Sequence, residues 1–265
     1  MNHYRIKDWT GLKLEVEGHT AILTLCNPPA NTWTVHSLAA LRDLVAALDA
    51  DRDIYALVVT GEGEKFFSAG ADLKQFATGD KALAREAARR FGEAFEALSA
   101  FRGVSIAAIN GYAMGGGLEC ALACDLRIAE EQAQLALPEA TVGLLPCAGG
   151  TQNLTRLAGE GWAKRMILLG ERIDAATALR IGVVEEVVGK GEAAAKALEW
   201  AAKAARQSPT SVAACKTLVQ ITRSQPASAG LVAERELFVD LFDSADQSEG
   251  VRAFLDKRAP VWKNA

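Results

Sequence analysis

Between Val104 and Glu119 the chain passes from strand to turn to helix in one short stretch, and that passage narrows the folds open to it. Val104-Ser-Ile-Ala-Ala-Ile109 is apolar and β-branched, Asn110-Gly-Tyr-Ala-Met-Gly-Gly-Gly117 is glycine-rich, and Leu118-Glu-Cys-Ala-Leu-Ala-Cys124 has the composition of a buried helix. Gly115, Gly116 and Gly117 carry no Cβ, so the backbone there can approach a ligand closely. The first amides of the following helix lack intrahelical acceptors, and the helix dipole makes them partly positive. Such a turn can hold a developing negative charge. It can equally serve only close packing between strand and helix.

Spacing separates this turn from two other glycine-rich devices. Gly111 and Gly116 fit the start of a G-x-x-x-x-G-K-[ST] phosphate loop, but Gly117-Leu118 stands where Lys-Ser/Thr is required. The dinucleotide fingerprint G-x-G-x-x-G is also absent, since Gly111 is followed by three non-glycine residues.

Two carboxylates give the turn a chemical context. Glu119 sits among Leu118, Cys120, Ala121, Leu122 and Ala123, and Glu139 follows Pro138 among Leu135, Ala136, Leu137, Ala140 and Val142. A glutamate in so apolar a setting either faces solvent or is kept inside for chemistry. Glu119 could also be an ordinary first-turn glutamate facing the helix dipole. Taken with the turn, the pair suggests acid–base chemistry beside a stabilised enolate.

Several function classes are disfavoured. The 265 residues carry a net charge of −4 and no basic cluster, unlike a nucleic-acid binder. The five cysteines, Cys26, Cys120, Cys124, Cys147 and Cys215, are odd in number and contain no C-x-x-C, so neither a disulfide framework nor a zinc site is expected. His3, His19 and His36 lack metal-ligand spacing and precede every candidate nucleophilic serine in the middle of the chain. Gly103-Val-Ser-Ile-Ala107 lacks the last glycine of a hydrolase elbow. Met1–Asp8 has no apolar signal core, and Val104–Leu118 is too short and glycine-rich to span a membrane. A cytoplasmic protein without membrane attachment, metal or separate cofactor is expected.

In chain order, Leu12–Glu17 and Thr20–Leu25 read as a hairpin, and Asn27-Pro-Pro-Ala30 must form a loop. Val35, Leu38, Leu41, Leu44, Val45 and Leu48 have helical spacing. Ala56–Thr60 is a short apolar strand, and Lys81–Phe101 a helix with apolar spacing through Phe91 and Leu98. Val104–Ile109 and Asp125–Ala129 read as further strands, Gly149–Leu157 and Gly161–Leu169 as helical, and Val183–Val188 as a last short strand. From Glu192 onward helices dominate, broken at Ser208-Pro209 and near Gln225-Pro226. Strands separated by helices predict an α/β fold with a parallel core sheet.

The segments Ser68-Ala-Gly-Ala-Asp72, Ala108-Ile-Asn-Gly-Tyr-Ala-Met-Gly-Gly-Gly-Leu-Glu119, Cys124-Asp125, Leu137-Pro-Glu139 and Gly149-Gly-Thr-Gln152 carry a resemblance. In this order and spacing the chain resembles the crotonase (enoyl-CoA hydratase/isomerase) superfamily, on its hydratase branch, over nearly its whole length. The resemblance implies a crotonase-like spiral of repeated β-β-α units with a helical carboxyl-terminal trimerisation region. On that pattern residues 1–195 form an acyl-CoA-binding core and 196–265 a helical region of the same functional unit, assembled as a homotrimer or homohexamer.

The resemblance further implies an oxyanion hole from the backbone amides of Ala71 and Gly116. Glu119 and Glu139 match the two hydratase glutamates. Ala71-Asp-Leu-Lys74 would run along the CoA moiety, and Lys257, in Phe254-Leu-Asp-Lys-Arg258, would approach a CoA phosphate. Coenzyme A is then part of the substrate, and the implied reaction is reversible hydration of trans-2-enoyl-CoA to 3-hydroxyacyl-CoA, as in fatty-acid β-oxidation. Other readings on the same fold are an enoyl-CoA isomerase, needing one acid–base carboxylate, and a non-catalytic acyl-CoA-binding homologue. Three positions depart from the pattern: the loop Asn27–Trp33 lacks the usual arginine, Cys147 replaces a glycine, and Asn153 replaces an arginine. Leu135, Leu137, Val142, Leu144 and Leu145 are candidates for the acyl lining or for plain core.

Overall fold

The computed structural model describes Tyr4 and residues 7–265. His3 and most of the segment inspected for a signal core lie outside the described residues. Two sheets and a set of helices make up the molecule. The larger sheet holds β1 (Leu12–Glu17), β2 (Thr20–Leu25), β3 (Ala56–Gly61), β5 (Val104–Ile109), β7 (Leu126–Glu130) and β10 (Glu186–Val188), in the order β1-β2-β3-β5-β7-β10. Only the β1–β2 hairpin is antiparallel, and its register pairs Leu12 with Leu25. The other neighbours are parallel.

Buried parallel strands must satisfy two apolar faces, which is why β3 and β5 read as nearly continuous apolar runs. Leu57, Val59, Ala107, Ile109 and Ala129 enter the main core. Their alternate neighbours Ala56, Val58, Ile106, Ala108 and Ile128 face the other way and pack on Ala193, Ala197 and Ala201 of α6 (Ala193–Ala204). The alternation follows from the two-residue period of a strand, and alanines on α6 let helix and sheet approach closely. A division at residue 195 therefore falls inside a helix that packs on the sheet.

The smaller sheet holds β4 (Phe66–Ser68), β6 (Tyr112–Met114), β8 (Gln134–Ala136) and β9 (Ile173–Asp174), in that order. Each of the first three follows a strand of the large sheet, and a helix or helical turn then follows it. α2 (Lys81–Ala100) follows β4, α3 (Gly116–Ala123) follows β6, and a 3-10 turn at Glu139–Val142 follows β8. This is the repeated β-β-α spiral that the resemblance implies. Where the chain leaves β5 for β6, Asn110 ties that crossing to the one after β3: its Nδ2 donates to the carbonyls of Gly61 and Gly63, and its Oδ1 accepts from Gly61 N–H.

Other elements are close to their expected positions. α1 (Val35–Ala50) starts at Thr34, whose side chain accepts from Ser37 N–H in a capping box. The two helical segments expected at 149–157 and 161–169 form one kinked helix, α4 (Gly150–Leu168), with Gly159 at φ 79° and ψ 164°. The strand expected over Val183–Val188 is shorter, because Val183 and Val184 are core residues ahead of β10. α5 (Ala175–Arg180), α7 (Pro209–Ile221), α8 (Ala227–Asp240) and α9 (Ala245–Leu255) complete the chain. Among the described residues no helix is long and apolar enough to cross a membrane.

Candidate active site

The glycine-rich turn lies where β6 hands over to α3. Gly115 adopts φ 51° and ψ −126° at the N-cap, and all of α3 is buried. A Cβ on Gly117 would fall 2.2 Å from the Ser68 carbonyl oxygen, so only glycine lets the start of α3 lie on the end of β4. Gly70 makes the same approach from the other side. Its φ is +88°, and a Cβ there would be 2.6 Å from Met114 O and 3.1 Å from Gly116 N.

That packing brings the two proposed amide donors onto one wall. Trp33 N–H donates to Gly70 O (2.8 Å) and Asp72 N–H donates to Trp33 O (3.0 Å), a parallel bridge opposite Ala71. In such a bridge the intervening residue's own N–H points away from the partner strand. The Ala71 amide is thereby turned from Trp33, and Ala71 and Gly116 both line one cavity of about 590 Å³. The 27–33 loop supports this arrangement from behind. Asn31 Nδ2 donates to Glu62 O and Phe66 O, and Ser68 Oγ donates to Asn31 O. Trp33 is buried at 2% exposure, packs edge-on against Phe95, and does not line the cavity.

Both glutamates face the same cavity, in unlike environments. Glu119 is 2% exposed, and its Oε1 accepts N–H bonds from Ala148 (2.8 Å) and Gly150 (2.9 Å). Burial pushes its carboxyl group up from the ordinary range, and the amides of Ala148, Gly150 and Cys147 pull it back. Glu139 starts a 3-10 turn ended by Gly143 at φ 73°. Its two carboxyl oxygens are buried and have no hydrogen-bond partner on another residue. Burial lifts its pKa to about 7, its own backbone amide opposes this, and the charge of Glu119 adds to the rise. A Cβ on Gly115 would be 3.1 Å from Glu139 Oε1, so this carboxyl group lies directly against the glycine-rich turn.

The remaining sequence candidates separate by position. Leu73, Val142, Leu144 and Leu145 line the cavity, whereas Leu135 and Leu137 are fully buried core. Asp72 caps a 3-10 turn at Leu73–Phe76, its Oδ1 accepting from Lys74 N–H. Neither Asp72 nor Lys74 lines the cavity. Lys257 lies just past α9 with φ 52°, exposed and likewise outside the lining. Cys147 does line it, its thiol pushed up to about 11 by desolvation and by the charges of Glu119 and Glu139. Asn153 lies on the first turn of α4, its amide 3.1 Å from where a Cβ on Gly149 would stand.

Sequence reasoning missed Ala84, Ala88 and Phe76 as lining residues, and the Ala148 and Gly150 amides as the clamp on Glu119. Ala84, Ala88 and Phe91 follow the helical i, i+4, i+7 spacing, which is the signal that could have found them. Among the described residues no group of three or more His, Cys, Asp or Glu is placed to hold a metal ion.

The sequence profile of the enoyl-CoA hydratase/isomerase family matches residues 15–265. The 2,3-dehydroadipyl-CoA hydratase of Escherichia coli is 41% identical over 245 residues, covering 91% of this chain and 94% of its own. A probable enoyl-CoA hydratase of Bacillus subtilis is 38% identical, covering 95% and 98%. Among solved structures, Pseudomonas aeruginosa DspI superimposes with a TM-score of 0.94 at 67% identity, covering 97% of this chain and 98% of that one. An enoyl-CoA hydratase from Bacillus anthracis superimposes at 0.92 with 35% identity, covering 96% and 100%.

Proposed function

Because the chain belongs to the enoyl-CoA hydratase/isomerase family, and is an enzyme of the hydratase class, we propose that it adds water across trans-2-enoyl-CoA thioesters by a two-glutamate mechanism. The observation that carries this reading is the pairing of Glu119 and Glu139 on the wall that also holds the Ala71 and Gly116 amides. Hydration places oxygen on the β carbon and a proton on the α carbon, while charge gathers on the thioester oxygen. The two amides would donate to that oxygen, and loss of one such donor in other enzymes lowers kcat by about 10²–10³.

Water is a weak nucleophile, so a carboxylate has to hold it and take its proton. Glu119 suits that role: two amides fix its Oε1, which leaves Oε2 for the water. Glu139 suits delivery of the α proton, since burial favours its protonated form near neutrality. One turnover moves a proton onto Glu119 and removes one from Glu139, and exchange with solvent resets the pair.

Ala71–Lys74 would follow the CoA chain, with Lys257 near a phosphate. We propose a trimer or hexamer as the working form, built on apolar side chains that α8 and α9 leave outside, such as Phe238 (64% exposed) and Phe254 (84% exposed). Light scattering that finds a stable monomer would contradict the assembly.

Solvent-deuterium exchange tests the proton assignment. Glu139→Gln should lose both hydration and exchange of the α proton of the product. A variant that lost hydration yet still exchanged that proton would take the role away from Glu139.

A further inference from the structure

The cavity wall is chemically one-sided. Among the described residues Glu119, Glu139 and Cys147 are its only ionisable ones, and no Lys, Arg or His lines it. Lys81 and Arg85, the cations closest to Ala84 along α2, are exposed and lie outside the lining. Away from the glutamates the wall is made by Leu73, Phe76, Leu144 and Leu145, with Ala84 and Ala88 one helical turn apart on α2.

Three of these large side chains are open to solvent: Leu73 by 50%, Leu144 by 41% and Leu145 by 68%. A hydrocarbon tail laid along them removes apolar surface from water on both partners. A tail ending in a carboxylate would find no cation on this wall, and it would feel the charge of the glutamate pair. The two alanines leave space that longer side chains on the same helix face would fill.

Resting on the hydratase reading, we infer that this pocket selects an uncharged hydrocarbon acyl tail longer than that of crotonyl-CoA, and that Ala84 and Ala88 keep the room for it. Each methylene buried in the enoyl tail contributes about fourfold in kcat/KM, so two contribute roughly 15-fold.

The test compares crotonyl-CoA, trans-2-hexenoyl-CoA and 2,3-dehydroadipyl-CoA. The last two have equal carbon chains and differ at the tail, a methyl group against a carboxylate. Hexenoyl-CoA should exceed crotonyl-CoA by roughly 15-fold in kcat/KM. It should exceed dehydroadipyl-CoA by roughly 100-fold, because a tail carboxylate meets no cation and is repelled by the glutamate pair. In parallel, the saturated hexanoyl-CoA and adipyl-CoA, which cannot be hydrated, are titrated calorimetrically, and hexanoyl-CoA should bind more tightly. Hydration of dehydroadipyl-CoA as fast as hexenoyl-CoA, or equal binding of the saturated pair, overturns the tail preference and leaves the hydratase reading standing. Tighter hexanoyl-CoA binding without hydration of any thioester does the reverse. Ala88→Leu should lower the hexenoyl-to-crotonyl ratio by about tenfold, as expected when a methylene-bearing side chain overfills the tail space. An unchanged ratio removes Ala88 from the assignment.

Discussion

Glu119 Oε1 lies 2.9 Å from the Gly150 amide nitrogen that donates to it, and a Cβ on Gly150 would lie 2.9 Å from that same oxygen. A side chain at position 150 would therefore press on the carboxylate that its own amide, with that of Ala148, holds in place. Gly150→Ala should displace the carboxyl group by a fraction of an ångström to an ångström and lower kcat by about 10²-fold. Thermal unfolding followed beside kcat separates this from loss of fold. Wild-type turnover in a folded variant would show that the clamp does not position Glu119.

The glutamate pair predicts a bell-shaped pH profile for kcat/KM. Hydration needs one proton on the pair, held by Glu139 while Glu119 is ionised. As pH rises through about 7, Glu139 loses that proton and the rate falls; at low pH Glu119 takes up a second proton and the rate falls again. The reverse direction should give the same shape, because the overall equilibrium neither consumes nor releases a proton. A profile flat from pH 6 to 9 would contradict the assignment.

Gly70 links stability to the cavity wall that Ala71 and Gly116 form. Its φ of +88° disfavours any side chain, and a Cβ would lie 2.6 Å from the Met114 carbonyl oxygen. Strain and overpacking together should make Gly70→Ala less stable by roughly 2–6 kcal/mol. Urea unfolding measures this directly, and a midpoint within error of the wild type would contradict the close packing of residues 68–71 on α3.

Arg127 holds the end of the large sheet where β7 receives β10. Its side chain is 3% exposed; the guanidinium donates to the carbonyls of Val183, Cys124 and Asp125 and to Glu185 Oε1 at 2.5 Å. Arg127→Met removes the charge and leaves those acceptors unanswered, with an expected loss of about 3–5 kcal/mol. Unchanged stability would mean water replaces the guanidinium without penalty.

The long apolar strands and amphipathic helices were legible in the sequence because their periods are long enough to count. β3 and β5 are continuous apolar runs, and α1 repeats Leu38, Leu41, Leu44, Val45 and Leu48. The smaller sheet was not legible from period, since β4, β6 and β8 have only three residues each. At the site, Glu119 and Glu139 stood out as carboxylates in apolar surroundings. The Ala148 and Gly150 amides did not, because a backbone donor leaves no mark in side-chain identity. Leu135 and Leu137 were indistinguishable from Leu144 and Leu145 as lining candidates. Only the fold separates them, putting the first two on or beside β8 in the core and the others at the cavity mouth.

The central claim is that two glutamates on one wall carry the hydration, and the loss of enoyl-thioester absorbance from trans-2-hexenoyl-CoA tests it most directly. Glu119→Gln and Glu139→Gln preserve shape while removing an acid–base group, so each should lower kcat by about 10²–10⁴-fold. Affinity for the inert hexanoyl-CoA should stay close to wild type in both. Both variants hydrating hexenoyl-CoA at the wild-type rate would contradict the account.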